Sequence, residues 1–186
     1  IVDKTINVQD LLIGDKNAVM VAARILAYGA EYSCEVMDPN TGDKIKHTFD
    51  LSDCPFKELP SNVDYSENAF ELELPVTKTK ITYKILTGAD EVSIGNQIKS
   101  LNKIGQSSEI TTRLKHMIVS VNNNEERTVV NNFVDNMLSK ESLFLREEVA
   151  RITPDIDLSQ EVEMGGDVVQ VDIPMTTEFF WPKAGA

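Results

Sequence analysis

Two histidines, two cysteines and a surplus of carboxylates are the side chains of this sequence able to do chemistry, and their spacing assembles none of the familiar reactive sets. His47 lies on a strand-like stretch among polar groups and His116 beside Lys115 on an amphipathic helical one; both read as ordinary half-buried histidines. There is no Gly-x-Ser-x-Gly elbow, and nothing places either histidine next to Cys34 or Cys54, as an activated thiol requires. Gly88 falls between a strand and a helix, where a helix N-terminus can hold phosphate. Asp90 and Glu91 occupy that first turn, however; they suit the helix dipole and repel an anion. The pairs Glu125-Glu126 and Glu147-Glu148, and the acids around Asp155 and Asp157, are what so acidic a chain produces on solvated faces. His47 with Cys34 and Cys54 has no metal-site spacing, and Asp38–Asp43 lacks the twelve-residue calcium loop with its closing glutamate. No catalytic residue, metal or cofactor is assigned.

The 186 residues carry 18 Lys and Arg against 30 Asp and Glu, a net charge of −12. That balance argues against a nucleic-acid backbone or an anionic membrane as the main partner and fits a basic protein partner, or plain solubility. With 41% hydrophobic and 26% charged residues the chain is globular rather than disordered. No apolar run approaches the roughly 20 residues that cross a bilayer, and no signal peptide is read. Ile1 is read as not the native start. Two cysteines are too few for a disulfide scaffold and are expected to be reduced. Cys34 shares a strand face with Tyr32 and Val36, a core position, while Cys54 sits in a Pro-bounded loop. Charge is also segregated: Thr153–Glu178 holds seven acids and no Lys or Arg, whereas Lys78–Lys115 holds seven basic and three acidic residues. The two segments either match within the fold or steer a partner.

The elements that must position these groups alternate between hairpins and helices. Asp15 is a good N-cap for a helix over Lys16–Tyr28, with Ala18, Val21, Ala22, Ile25 and Leu26 inward and Gly29 as its left-handed stop. The lead-in Val2–Leu12 resembles the end of a helix. A hairpin follows: Glu31–Val36, the turn Asp38–Gly42, then Lys44–Leu51, alternating with period two. Ser52–Asn68 reads as a loop pinned by Phe56, Leu59 and Tyr65. A second hairpin runs from Phe70–Leu74 to Ile81–Leu86. Thr87 with Asp90 approximates a capping box for a helix from Gly88 to about Lys103; Val92, Ile94, Ile98 and Leu101 face its core. Gly95 inside it costs about 1 kcal/mol, so a kink or close packing is expected there. Helices over Glu109–Val121, Glu125–Leu138 and Ser139 to Pro154 complete a four-helix run. A last hairpin, Ser159–Glu163 to Val168–Ile173, turns at Gly165-Gly166. The expected class is α+β, with three β-hairpins and a four-helix run, in a single domain over 1–186. Phe179, Phe180 and Trp181 cannot all point inward on one strand, so at least one is at a surface or a partner.

Several ordered stretches then resemble one family. Asp10–Ala18, Arg24–Tyr32, Phe49–Asp53, Phe70–Pro75, Ile85–Glu91, Ile118–Val121, Phe133–Met137, Val171–Pro174 and Glu178–Pro182 are similar to the T-even-type tailed-phage baseplate hub assembly proteins. They run across nearly the whole chain; the Phe-Phe-Trp-Pro ending is the most distinctive. Members of that family often carry Cys-Pro-x-Cys-Gly in the first hairpin turn and a second cysteine pair in the last hairpin, a set suited to a structural zinc knuckle. Here the first turn keeps Pro39 and Gly42 but has Asp38 and Thr41 where ligands would stand, and the last reads Met164-Gly165-Gly166. The resemblance therefore implies that the first and last hairpins, 31–51 and 159–173, pair as a metal-free ribbon, with 88–152 as the helical part. It also implies a non-enzymatic, chaperone-like role in building the baseplate hub in the host cytoplasm. A permanent place in the baseplate or virion tail is the alternative. The partners implied are other baseplate and hub proteins, without nucleic acid or membrane; self-association stays open, and the family extends upstream of Ile1. Contacts are expected from Phe179, Phe180 and Trp181 with Asp155, Asp157 and Glu161, against the competing reading that the aromatics close the core under the last hairpin.

Overall fold

A computed structural model describes residues 7–38, 41–103, 105 and 108–181. Most of the Val2–Leu12 lead-in is described only from Asn7 onward, and Pro39, Asn40 and Pro182 lie outside the described residues. The fold is mixed α+β, with six α-helices and three small antiparallel sheets among the described residues. The chain groups into two compact units, Ile1–Ile13 with Leu59–Thr153 and Gly14–Glu58 with Pro154–Ala186.

The first unit holds a three-stranded sheet of β3 (Phe70–Glu73), β4 (Lys80–Tyr83) and β5 (Ile118–Val121). Its helices are α2 (Gly88–Asn102), α3 (Glu109–Met117), α4 (Arg127–Asp135) and α5 (Ser139–Ile152). Several boundaries depart from the sequence reading: α4 is shorter than the expected Glu125–Leu138, and β4 ends before the expected Leu86. Ile118–Val121 is a strand, not the end of a helix: Tyr83 pairs with Ile118 and Thr82 with Ser120. Its β-branched residues complete a sheet edge, and pairing to β4 outweighs a helical spacing that Leu114, Met117 and Ile118 also satisfy. At α5, Leu138 is the N-cap, so Ser139 is the first helical residue and makes no cap bond. The capping box at Thr87 forms in full: the Thr87 hydroxyl accepts from Asp90 N, and Asp90 accepts from Thr87 N at 3.0 Å. Gly95 needs no kink; a side chain there would meet open space. Val92 is exposed while Ile94 is buried. The core of this unit is one cluster around Leu74, Ile81, Ile118, Leu145 and Ile152.

In the second unit α1 spans Ile13–Tyr28, so Asp15 lies in its first turn rather than capping it. Gly29 closes it at φ +87°, its N–H donating to Ile25 O at 2.9 Å. The buried face is Gly14, Val21 and Arg24; Ala22 and Leu26, expected inward, are exposed. Strands β1 (Glu31–Met37) and β2 (Lys44–Asp50) pair as one two-stranded sheet, and β6 (Ser159–Met164) and β7 (Asp167–Asp172) as another. The two sheets share no strand ladder. One buried cluster gathers Tyr32, Phe49 and Leu51 with Val162, Ile173 and Phe179. A short helix α6 (Thr177–Phe180) ends the described chain, where the sequence suggests only a tail.

Candidate functional site

The acidic residues picked from the sequence divide between a groove and its surroundings. Phe56 and Ile156 form an isolated antiparallel bridge, closed by Lys57 N donating to Asp155 O at 2.9 Å and Asp157 N to Pro55 O at 2.8 Å. Beside this bridge lies a groove of about 760 Å³, lined in part by Phe56, Asp155, Asp157 and Asp172. Asp155 accepts from the Ile156 N–H at 2.9 Å and from Asn17 Nδ2 at 3.4 Å. Asp157 accepts from Ser159 N at 2.9 Å and from its hydroxyl at 2.5 Å. Those two Ser159 donors hold the Asp157 carboxyl below its ordinary value. None of these carboxylates has a Lys or Arg within ion-pair distance among the described residues. Glu161 is exposed on β6 and does not line the groove.

Phe56 is the residue sequence reasoning missed. It was expected to pin the 52–68 loop, yet its side chain is 74% exposed. Tyr65 does that work, donating to Ile152 O at 3.1 Å and meeting Phe70 edge-on. The signal for Phe56 was faint: one aromatic between Pro55 and Lys57, in a segment whose other apolar residues could as well have anchored it.

The C-terminal aromatics have three different fates. Phe179 is fully buried, edge-on to Tyr32 at 5.0 Å and to Phe180 at 4.9 Å. It therefore belongs to the core and is not a surface anchor, contrary to the expectation that grouped it with its neighbours. Phe180 is half-buried, and Trp181 is 72% exposed. The turn makes this possible: α6 is a single turn in which successive side chains point about 100° apart.

A second groove, of about 840 Å³, runs past Tyr32, Cys34 and Arg24. Arg24 is 5% exposed and has no carboxylate at ion-pair distance among the described residues. Its guanidinium donates to Gly29 O at 3.0 Å and Glu31 O at 3.2 Å, and lies 5.0 Å from the Tyr28 ring centre. The carbonyl end of α1 thus carries the countercharge. Burial raises the Tyr32 phenol and the Cys34 thiol above their ordinary values, so both are neutral at pH 7. Cys54 is likewise buried, raised by desolvation and approached by Gln160 Nε2 at 3.5 Å. Both cysteines are free.

At the first hairpin turn Asp38 is buried; its carboxylate accepts from Thr41 N at 3.4 Å, and Thr41 Oγ1 accepts from Asp43 N at 3.2 Å. The two positions named for absent ligands thus close the turn by hydrogen bonds of their own. Among the described residues no group of three or more His, Cys, Asp or Glu is placed to hold a metal ion. His47 meets Phe49 edge-on at 4.7 Å, and His116 lies 3.1 Å from Gln97 Oε1; neither lines either groove. Burial lowers the His116 pKa, leaving it neutral at pH 7. Of the basic segment, Lys84 pairs with Asp90, Arg113 with Glu91 and Glu109, and Lys115 with Asp135. No helix among the described residues is long and apolar enough to cross a membrane. Comparison with known proteins finds no matching family model, curated protein or solved structure.

Proposed function

We propose that this chain is a non-enzymatic phage tail protein that acts in assembly of the baseplate hub, docking on hub subunits in the host cytoplasm as a chaperone does. The observation that carries the reading is the groove at Phe56, where an exposed aromatic ring stands among Asp155, Asp157 and Asp172, none of which has an ion pair among the described residues. Trp181 and Glu161 add exposed aromatic and acidic surface to the same unit. An exposed aromatic is a frequent interface anchor, and unpaired like charges select a partner of opposite sign. In the same proposal the first and last hairpins act as one metal-free ribbon. Its support is the shared buried cluster and the Gln160 side chain, which donates to Asp50 O at 2.7 Å.

The test is co-purification of the tagged chain from infected cells, with a blot of purified virions alongside. A hub subunit in the eluate and no chain in mature tails is the expected result. An eluate free of baseplate proteins refutes the reading, and abundant chain in the virion assigns it instead as a permanent baseplate part. Elemental analysis of the purified protein tests the ribbon; zinc near one equivalent would overturn the metal-free account.

A further inference from the structure

Three aspartates, Asp155, Asp157 and Asp172, line the groove beside Phe56, and Lys57 and Glu58 add one charge of each sign. The apolar part of its wall comes from Phe56, Leu158 and the buried Ile173. The groove is built rather than incidental. Its two walls are clamped by the Lys57–Asp155 and Asp157–Pro55 backbone hydrogen bonds, and a third bond, Ile173 N to Leu158 O at 2.7 Å, ties in the remaining side. Asp155 and Asp157 are aimed by the donors already described, so their orientation needs no partner to set it. Among the described residues no three acids stand close enough to share one ion. The carboxylates therefore suit separate ammonium or guanidinium groups, spaced along a strip of apolar surface.

From this we infer that the groove seats an extended segment of a partner protein in which an apolar side chain, set against Phe56, is flanked by lysine or arginine. The inference rests on the docking role above and names the chemistry of what docks. Charge complementarity decides the occupant: with four acids against Lys57 in the lining, a neutral apolar segment would leave the excess negative charge unanswered, and an acidic one would be repelled. Because the groove is open to solvent, screening governs its strength, and binding weakens as salt rises.

Fluorescence anisotropy of the whole chain with two labelled short peptides tests this, one alternating lysine with leucine and the other glutamate with leucine. The lysine peptide is expected to bind, more weakly at high salt, and the glutamate peptide not to bind. The triple variant Asp155→Asn, Asp157→Asn, Asp172→Asn should weaken the lysine peptide about tenfold, and Phe56→Ala by a similar factor. Asparagine keeps the side-chain oxygen that Ile156 and Ser159 donate to, so the groove stays folded. A charge-matched control, Glu67→Gln, Glu125→Gln, Glu126→Gln, alters exposed acids of the other unit and should bind as the parent does. Equal binding of both peptides, or a triple variant that binds like the control, overturns the inference. Hub capture that survives the triple variant sinks this proposal and leaves the assembly role standing. Peptide binding without hub capture does the reverse.

Discussion

Glu141 offers the sharpest test of the first unit's architecture. It lies in the first turn of α5, 1% exposed, and its Oε1 accepts from Val76 N at 3.2 Å, Thr77 N at 2.7 Å and Thr77 Oγ1 at 2.9 Å. Those donors sit in the β3–β4 turn, which closes by Leu74 N to Thr79 O at 3.0 Å and carries Lys78 at φ +56°. One carboxylate thus pins a hairpin turn to a helix far along the chain, and its position in the first turn also suits the helix dipole. Glu141→Ala removes the acceptor for two backbone donors. Hydrogen bonds to a charged group are each worth about 1.5–3 kcal/mol. The turn is solvent-exposed and recovers some of that through water, and the Thr77 hydroxyl can rotate outward. The lower end for two bonds gives about 3 kcal/mol. Glu141→Gln keeps an acceptor oxygen and loses only the charge, costing about 1 kcal/mol. Urea unfolding followed by far-ultraviolet circular dichroism reads both, with an unchanged m-value showing that the transition itself is the same. The control is Glu147→Ala, an exposed position on the same helix. If Glu141→Ala falls within about 0.5 kcal/mol of that control, the carboxylate does not hold the turn and the reasoning fails.

Two glycines should respond in opposite directions. At Gly14 a Cβ would run into the Pro154 carbonyl and come within 2.8 Å of Asp155 Cα, so Gly14→Ala should cost about 3 kcal/mol or fail to fold, read as loss of soluble yield and of Tm. At Gly95 a Cβ meets nothing within 4 Å, and Gly95→Ala should stabilise by about 0.5–1 kcal/mol in the same urea assay. Burial pushes the Asp90 carboxyl up, but Lys84 Nζ at 2.8 Å and the Thr87 donors pull it further down, below 3.8. Its contribution is therefore complete above pH 3.8 and is lost as the pH falls through the lower folded value; Asp90→Asn should be less stable than the parent near neutrality, with the gap narrowing in acid. Phe179→Ala should cost about 3–5 kcal/mol of stability. Trp181→Ala should leave stability within about 0.5 kcal/mol and, if the docking role holds, weaken hub capture in the pull-down.

Period-two alternation made the hairpins at 31–50 and 159–172 readable in advance, because each strand has one wet face. Thr87 and Asp90 announced the start of α2 for an equally local reason: a capping box is satisfied by neighbours in sequence. What failed depended on distant groups. Arg24 is not among the residues expected inward, yet it is buried because two carbonyls beyond α1 and three aromatic rings converge on it. With Arg24 on the buried face of α1, Leu26, which the apolar spacing places inside, is 87% exposed. Glu141 looks like any helix-start acid; only the β3–β4 turn gives it a reason to be inside. The groove was half legible: the acids were visible as a cluster without Lys or Arg, but Phe56 joins them only through the bridge to Ile156.

That bridge joins residues 55–57 to 155–157, on either side of a stretch, Leu59–Thr153, that belongs to the other unit. The groove at Phe56 therefore cannot form from either segment alone. Closing so long a connection costs entropy that grows only slowly with length, about 0.6 kcal/mol per doubling, and the stretch has its own core around Leu145 and Ile118 to shorten the effective span. The residues of the first unit are all present once Thr153 has emerged, whereas the second must wait for Phe179, which meets Tyr32 edge-on. Should the hub be recognised through the groove, recognition becomes a property of finished chains: a fragment ending before Asp155 would keep the β3–β5 sheet and lack the site. Pull-down with such a fragment, alongside the full chain, separates a partner that reads the groove from one that reads the helical unit.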